Sequence, residues 1–155
     1  MPVTRVPVDA ESRAPSGRTT AHIVTAEGES LLVDPAARSD ALDAAVEEHD
    51  PTGVAVTHHH PDHVGAVASY AQRKGMTVWA RAGRAGAFET ATGTAPDRLF
   101  RPGGTLPAGV GVVDTPGHAP EHVAFVAGEE WLTGDLAVAA GSVVVGAPEG
   151  DMRAY

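Results

Sequence analysis

Four of the chain's eight histidines and an aspartate fall within six positions, in the run His58-His59-His60-Pro61-Asp62-His63. Alternate side chains of an extended segment point the same way, so His58 and His60 can face one site while His59 points outward. Asp62 and His63 then project from the first turn of a helix, back toward the strand end. Imidazoles and carboxylates are ligands of zinc and iron, so this H-x-H-x-D-H run predicts a metal site. The alternative, a solvated histidine-rich loop, fits poorly with the strand before it and the helix after it.

Two later segments place further candidate ligands at the ends of strands. In the sequence Thr-Pro-Gly-His, the proline and glycine favour a turn that exposes His118. The sequence Leu-Thr-Gly-Asp ends a strand on Asp135. A single aspartate at a strand end is usually a turn residue. Both segments follow the histidine run, however, so we treat His118 and Asp135 as candidate ligands.

The composition excludes several other kinds of site. The chain of 155 residues has no cysteine, which excludes disulfides, thiolate metal sites and a cysteine nucleophile. Its net charge of −9 disfavours binding to nucleic acid. No stretch approaches the roughly 20 apolar residues of a membrane span, and no apolar segment resembles a secretory signal. We therefore expect no membrane association and a cytoplasmic location.

The elements that must position these residues can be predicted from periodicity and turn signals. We expect a loose segment over residues 1–17 that begins with a strand, then a hairpin, and a helix capped by Ser39 that ends near His49. The predicted strands and helices are strands 19–26, 30–35, 54–57 and 76–80, helix 62–74, a short helix within 81–96, and strands 99–106, 111–115, 122–127, 130–133 and 141–146. Strands with intervening helices, followed mostly by strands, predict an α/β layered sandwich that forms one domain over residues 1–155.

The whole motif set resembles the metallo-β-lactamase-fold superfamily of metal-dependent hydrolases. The matching residues are His58-x-His60-x-Asp62-His63, Thr115-Pro-Gly-His118 and Gly134-Asp135, and the likeness is strongest to the glyoxalase II-like branch, where a histidine at the position of His122 is common. The Leu-Leu-Val-Asp-Pro segment that contains Asp34 matches the first motif of the superfamily. The resemblance implies an αββα sandwich.

The resemblance also implies a role for each matching residue. His58, His60 and His118 would bind one metal, Asp62 and His63 a second, and Asp135 both; the family holds two zinc ions, and iron or manganese are alternatives. Asp62 would in addition orient the attacking water or accept its proton. Asp34, His59 and His122 are expected to be supporting residues: Asp34 supports the metal loop, and His122 positions His118, lines the pocket or simply starts a strand.

The chain departs from the family pattern at its C-terminal side. The family supplies one more histidine to the second metal from a later strand, but no histidine follows His122. We therefore expect a chain truncated at its C-terminus, which lacks the closing strand and helix and has a weakened second metal site. A second copy of the chain or a partner chain is then expected to cover the open edge.

Three functions follow from these residues, and the first is favoured. It is a metal-dependent hydrolase that uses a metal-activated bridging water to cleave an ester-like bond, such as a thioester, in a small molecule. The second is a persulfide dioxygenase of the same fold, with one iron held by His58, His118 and Asp135. The third is a non-catalytic metal-binding fragment.

Overall fold

Ten β-strands and four α-helices build the part of the chain that the computed structural model describes, residues 1–11, 16–138 and 141–155. The strands are β1 Val3–Asp9, β2 Arg18–Ala26, β3 Glu29–Val33, β4 Gly53–Ala55, β5 Thr77–Arg81, β6 Arg98–Phe100, β7 Thr105–Leu106, β8 Val110–Asp114, β9 Val123–Ala127 and β10 Glu130–Leu132. The α-helices are α1 Asp40–His49, α2 Pro61–Val64, α3 Val67–Lys74 and α4 Ala85–Thr92. Short 3₁₀ turns cover Pro107–Gly109 and Gly134–Leu136.

The first sheet has six strands in the order β1-β2-β3-β4-β5-β6. The first three strands are antiparallel neighbours, as the predicted hairpin requires, whereas β3, β4, β5 and β6 run parallel. The parallel strands are connected through helices, because a parallel pair cannot be joined by a tight turn. The carboxyl ends of β3 and β4 therefore meet at one edge of the sheet.

All four α-helices contribute to a core on one face of this sheet. Helix α1 begins as predicted, with the Ser39 hydroxyl accepting a hydrogen bond from the Leu42 amide at 3.1 Å. Leu42 and Val46 are buried against strand residues such as Ile23 and Leu32. None of the helices in the described residues combines the length and hydropathy needed to cross a bilayer.

The second sheet has four antiparallel strands in the order β10-β9-β8-β7. Leu31 and Val33 of β3 point away from the helices and join a second core between the sheets. Phe100 and Phe125 meet there edge to face, with ring centroids 5.8 Å apart. The molecule thus has helix, sheet and sheet layers, three layers of the expected αββα sandwich.

The prediction of a single helix over residues 62–74 is wrong, because the helix is interrupted between Val64 and Val67. At the interruption, the Ala66 amide donates a hydrogen bond to the Pro35 carbonyl at 2.9 Å, which holds this segment beside the end of the first hairpin. A Cβ atom added at Gly65 would lie 2.3 Å from the Ala36 carbonyl oxygen. This close approach fixes the start of α2 beside β3.

Two strand predictions also require correction. The predicted strand 99–106 is two strands in different sheets, since the chain turns at residues 101–104 and the Gly103 amide donates to Val112 of β8. The predicted strand 141–146 has no regular structure, and its Val144 carbonyl accepts a hydrogen bond from the His118 ring instead of pairing at a sheet edge. The strand expected at the start of the loose N-terminal segment is β1, which is regular and pairs along its length with β2; residues 12–15 lie outside the described residues.

Replacing Gly65 by alanine should destabilise the fold, because the added methyl group meets backbone rather than a movable side chain. We expect Gly65→Ala to lower the free energy of unfolding by about 1–3 kcal/mol. Gly86→Ala is the matched control, since a Cβ atom there contacts none of the described residues within 4 Å, and it should leave stability unchanged or raise it by up to about 1 kcal/mol. Urea unfolding of both variants checks this, and equal midpoints would contradict the proposed close packing.

Candidate metal centre

The predicted ligands lie together at the carboxyl end of β4. The histidine run that follows β4 meets His118 from the loop after β8 and Asp135 from the turn after β10. All of the predicted ligands except the fully buried His58 line an open cleft of about 1040 Å³. The start of β2 forms one wall of the cleft, and residues between 142 and 149 also line it. The cleft is therefore formed by segments that are distant in the sequence.

Four side chains form the first cluster, with potential ligand atoms that all lie within 4.8 Å of one another: His58, His60, His118 and Asp135. His60 Nδ1 lies 2.9 Å from His118 Nε2. Asp135 Oδ2 lies 3.3 Å from His118 Nε2 and 4.0 Å from His58 Nε2. Alternation within the run brings His58 and His60 to the same side, as expected for an extended segment.

In each imidazole of the first cluster, one ring nitrogen faces the other candidate ligands (the inner nitrogen) and the second faces away from them (the outer nitrogen). A hydrogen-bond acceptor contacts each outer nitrogen. His60 Nε2 contacts the Glu149 carboxylate at 3.1 Å, and His118 Nδ1 contacts the Val144 carbonyl. His58 Nδ1 lies 3.1 Å from Thr57 Oγ1, whose own proton is donated to Asp34. Because these partners accept, the network assigns the proton to each outer nitrogen and leaves a lone pair on each inner one.

Among the described residues, no donor satisfies the three inner lone pairs. His58 Nε2 is buried without a hydrogen-bond partner among the described residues. With the assigned tautomers, His60 Nδ1 and His118 Nε2 present lone pairs to each other at 2.9 Å, which is unfavourable unless a cation lies between them. The donor set therefore fits a metal ion.

The second cluster contains Asp62, His63 and Asp135. His63 Nδ1 donates to Asp34 Oδ2 at 2.9 Å, and its Nε2 lies 3.3 Å from Asp135 Oδ1. Asp135 thus directs one carboxylate oxygen to each cluster. Burial by itself would lower the pKa of His63, but the Asp34 and Asp135 carboxylates outweigh it and raise the pKa to about 10. A metal that binds here must displace the proton held on His63.

Asp135 is positioned by the residue before it and by His122. Gly134 has φ +49°, and a Cβ atom there would lie 2.5 Å from Thr57 Oγ1 and 2.9 Å from His122 Nε2. The Asp135 amide donates to His122 Nε2 at 3.1 Å, so His122 Nδ1 carries the proton and donates to Thr115 Oγ1 at 2.8 Å. Burial lowers the pKa of His122 to about 4 and keeps the ring neutral. His122 therefore contacts the backbone of Asp135 and directly precedes β9, as in the strand-start alternative, and it makes no hydrogen bond to His118 in the described residues.

His59 points away from both clusters but is not exposed, which corrects the expectation of an outward-facing residue. Its ring packs edge to face against Phe88 at 5.6 Å, and its amide donates to the buried Glu121 carboxylate at 3.0 Å. Arg81 in turn donates to Asp114 Oδ1 at 2.6 Å and to the carbonyl of Glu121 at 3.2 Å. These bonds join the histidine run to the loop that carries His118.

A family model described as the Metallo-beta-lactamase superfamily matches residues 15–154. The chain belongs to this superfamily. Two hydroxyacylglutathione hydrolases are among its relatives: that of Methylobacillus flagellatus is 35% identical over 119 residues, covering 74% of this chain and 45% of the relative. That of Acidiphilium cryptum is 33% identical over 150 residues, covering 92% and 53%. The chain spans about half the length of these curated relatives.

Solved structures of the superfamily agree with the fold. TTHA1623, crystallised in a di-iron-bound form, is 28% identical with a TM-score of 0.76, and the match covers 96% of this chain and 81% of that one. ETHE1 from Myxococcus xanthus has the same TM-score of 0.76 at 21% identity, covering 99% of this chain and 66% of that one, and shows the fold alone. The predicted metallo-β-lactamase fold is confirmed.

Several residues that hold the ligands were not predicted from the superfamily motifs. Thr57, Thr115, Glu121 and Glu149 each contact a histidine of the site, and Arg81 holds the loop that carries His118. Thr57 directly precedes His58, and Thr115 begins the Thr-Pro-Gly-His motif, so their positions in the sequence could have indicated supporting roles. Glu121 and Glu149 act across 62 and 89 residues, so spacing alone could not reveal them.

The low pKa of His122 predicts a pH dependence of the metal-free protein. The unfolded chain binds a proton below the ordinary value of 6.5, whereas the folded ring resists protonation until about pH 4. The full stability is therefore present above pH 6.5 and is lost as the pH falls toward 4, by up to about 3 kcal/mol from this group. Urea unfolding of chelator-treated wild type and His122→Gln should show a smaller loss in the variant; equal losses would contradict the assignment.

Proposed function

We propose that this protein is a metal-dependent hydrolase that cleaves an ester-like bond, specifically a thioester, in a small molecule. The observation that carries the proposal is the convergence of three imidazole lone pairs, together with the carboxylate of Asp135 shared between two clusters. A hydroxyacylglutathione is a thioester, and relatives of this chain are named as its hydrolases. A cleft of about 1040 Å³ is at the upper end of the range for small-molecule sites.

Two metal ions would be held by six side chains. His58, His60 and His118 would bind the first, Asp62 and His63 the second, and Asp135 both. Metal ions held there would supply a water molecule of lowered pKa and polarisation of the substrate carbonyl. Two zinc ions suit this donor set, with the second held more weakly because only three described side chains converge there. Iron is the first alternative, given the di-iron form of TTHA1623, and manganese is the second.

The protein's own residues would place the reacting groups. Asp62 lies half-buried at the cleft beside His63, where its carboxylate can orient the attacking water and accept its proton. Asp34 holds the His63 ring through Nδ1 and so keeps Nε2 directed at Asp135. No side-chain nucleophile is required.

A dioxygenase with one iron would need only His58, His118 and Asp135. The structure adds His60 to the same cluster and holds its outer nitrogen with Glu149, an arrangement that favours the hydrolase. Oxygen consumption with an iron-loaded protein and a persulfide, without thioester cleavage, would instead support the dioxygenase. Stoichiometric metal binding with neither activity would support the non-catalytic fragment.

Removing the shared carboxylate should weaken both metal sites and the activity together. We expect near two zinc equivalents per wild-type chain by elemental analysis, and hydrolysis of S-lactoylglutathione followed by loss of the thioester absorbance. Asp135→Asn should lose at least one equivalent and lower kcat/KM by more than about a hundredfold, beyond the loss typical of outer partners. Asp50→Asn, a remote and exposed carboxylate, is the control. Full activity of Asp135→Asn would overturn the proposal.

A further inference from the structure

His22 lines the cleft but belongs to neither ligand cluster. It lies on β2 directly across from Val33, the residue before Asp34. Its ring is close enough to Asp34 and His63 for their charges to influence its pKa. His22 therefore stands at the edge of the second cluster, on the wall of the cleft where a substrate would lie.

One nitrogen of His22 is closed off from the cleft. Nδ1 is buried and has no hydrogen-bond partner among the described residues. An unpaired buried N–H is rarer in proteins than an unpaired buried acceptor, so the proton is placed on Nε2. Since the ring lines the cleft and Nδ1 is enclosed, Nε2–H is the group that the ring presents to the cleft.

The environment of His22 favours a neutral ring. Burial lowers its pKa, and the positive charges of Arg5 and His63 act in the same direction, against the opposing effects of Asp34 and Glu130. Arg18, the nearby cation of the same wall, is exposed at the opening and bonded to Asp9 at 2.8 Å. His22 is thus a neutral donor deeper in the cleft.

We propose that His22 donates a hydrogen bond from Nε2–H to the carbonyl oxygen of the substrate, which gains negative charge as the carbonyl carbon is attacked. This inference rests on the proposed hydrolysis. The ring keeps its proton throughout, so the hydrogen bond stabilises charge without a proton transfer. A donor that is already in place when the charge develops is effective because no reorganisation is needed.

Three substitutions distinguish the two ring nitrogens. The amide of glutamine reaches the position of Nε2, that of asparagine reaches the position of Nδ1, and leucine has no donor. We expect His22→Gln to keep kcat on S-lactoylglutathione within about threefold of wild type, and His22→Asn and His22→Leu to lower kcat by about tenfold or more, with little change in KM. All three should retain the wild-type zinc content, because His22 is not a ligand.

The tautomer can be measured without any turnover. Nitrogen-15 NMR of the zinc-loaded protein, with the His22 signals assigned from their absence in His22→Gln, should show the proton on Nε2. Saturating acetate, the simplest carboxylate product, should shift that N–H resonance. These two results are expected even if the wild-type protein fails to hydrolyse the thioester. Such a failure would overturn the proposed function but not the assignment of the proton to Nε2.

Several outcomes would overturn the inference itself. A proton on Nδ1, or an Nε2–H resonance that acetate leaves unchanged, would contradict the donor assignment. Equal kcat values for His22→Asn and His22→Gln would show that the position of the donor is irrelevant. Loss of a zinc equivalent in all three variants would show that His22 is a metal ligand instead.

Discussion

The carboxylate of Asp34 is the constraint on which the site depends. It accepts hydrogen bonds from the Thr57 amide at 2.7 Å, the Thr57 hydroxyl at 2.8 Å and His63 Nδ1 at 2.9 Å. Asp34 itself is buried and has φ +51°, a backbone conformation that few residues other than glycine adopt. One buried side chain thus ties the end of β3 to both ends of the histidine run.

This constraint sets the orientation of the imidazoles. Because Thr57 Oγ1 gives its proton to Asp34, it can only accept from His58, and the lone pair of His58 then faces inward. The same carboxylate accepts a hydrogen bond from Nδ1 of His63. From the C-terminal segment, the Glu149 carboxylate accepts a hydrogen bond from His60 Nε2, and the Val144 carbonyl accepts one from His118 Nδ1. The acceptors around the site therefore fix which nitrogen of each ring can bind a metal.

Local features of the sequence predicted much of the fold and the clustering of the candidate ligands. The Ser39 cap, the first hairpin and the alternation within the histidine run depend on neighbouring residues, and the structure contains all three. The break at Gly65 depends on contact with Ala36, and the division of strand 99–106 depends on which sheet each half joins. Such contacts join residues that are distant in the sequence, so periodicity cannot predict them. For the same reason the sequence alone indicates no role for His22, whose position on the cleft wall depends on the fold.

The claim that three lone pairs of imidazoles converge on one metal can be tested by X-ray absorption at the zinc edge. With one zinc equivalent, we expect about three imidazole nitrogens at roughly 2.0–2.1 Å, with oxygen completing the shell. A second equivalent should add a zinc–zinc vector at about 3.5–4 Å. A first equivalent bound mainly by oxygen, with fewer than three imidazoles, would contradict the convergence of the three lone pairs on one metal.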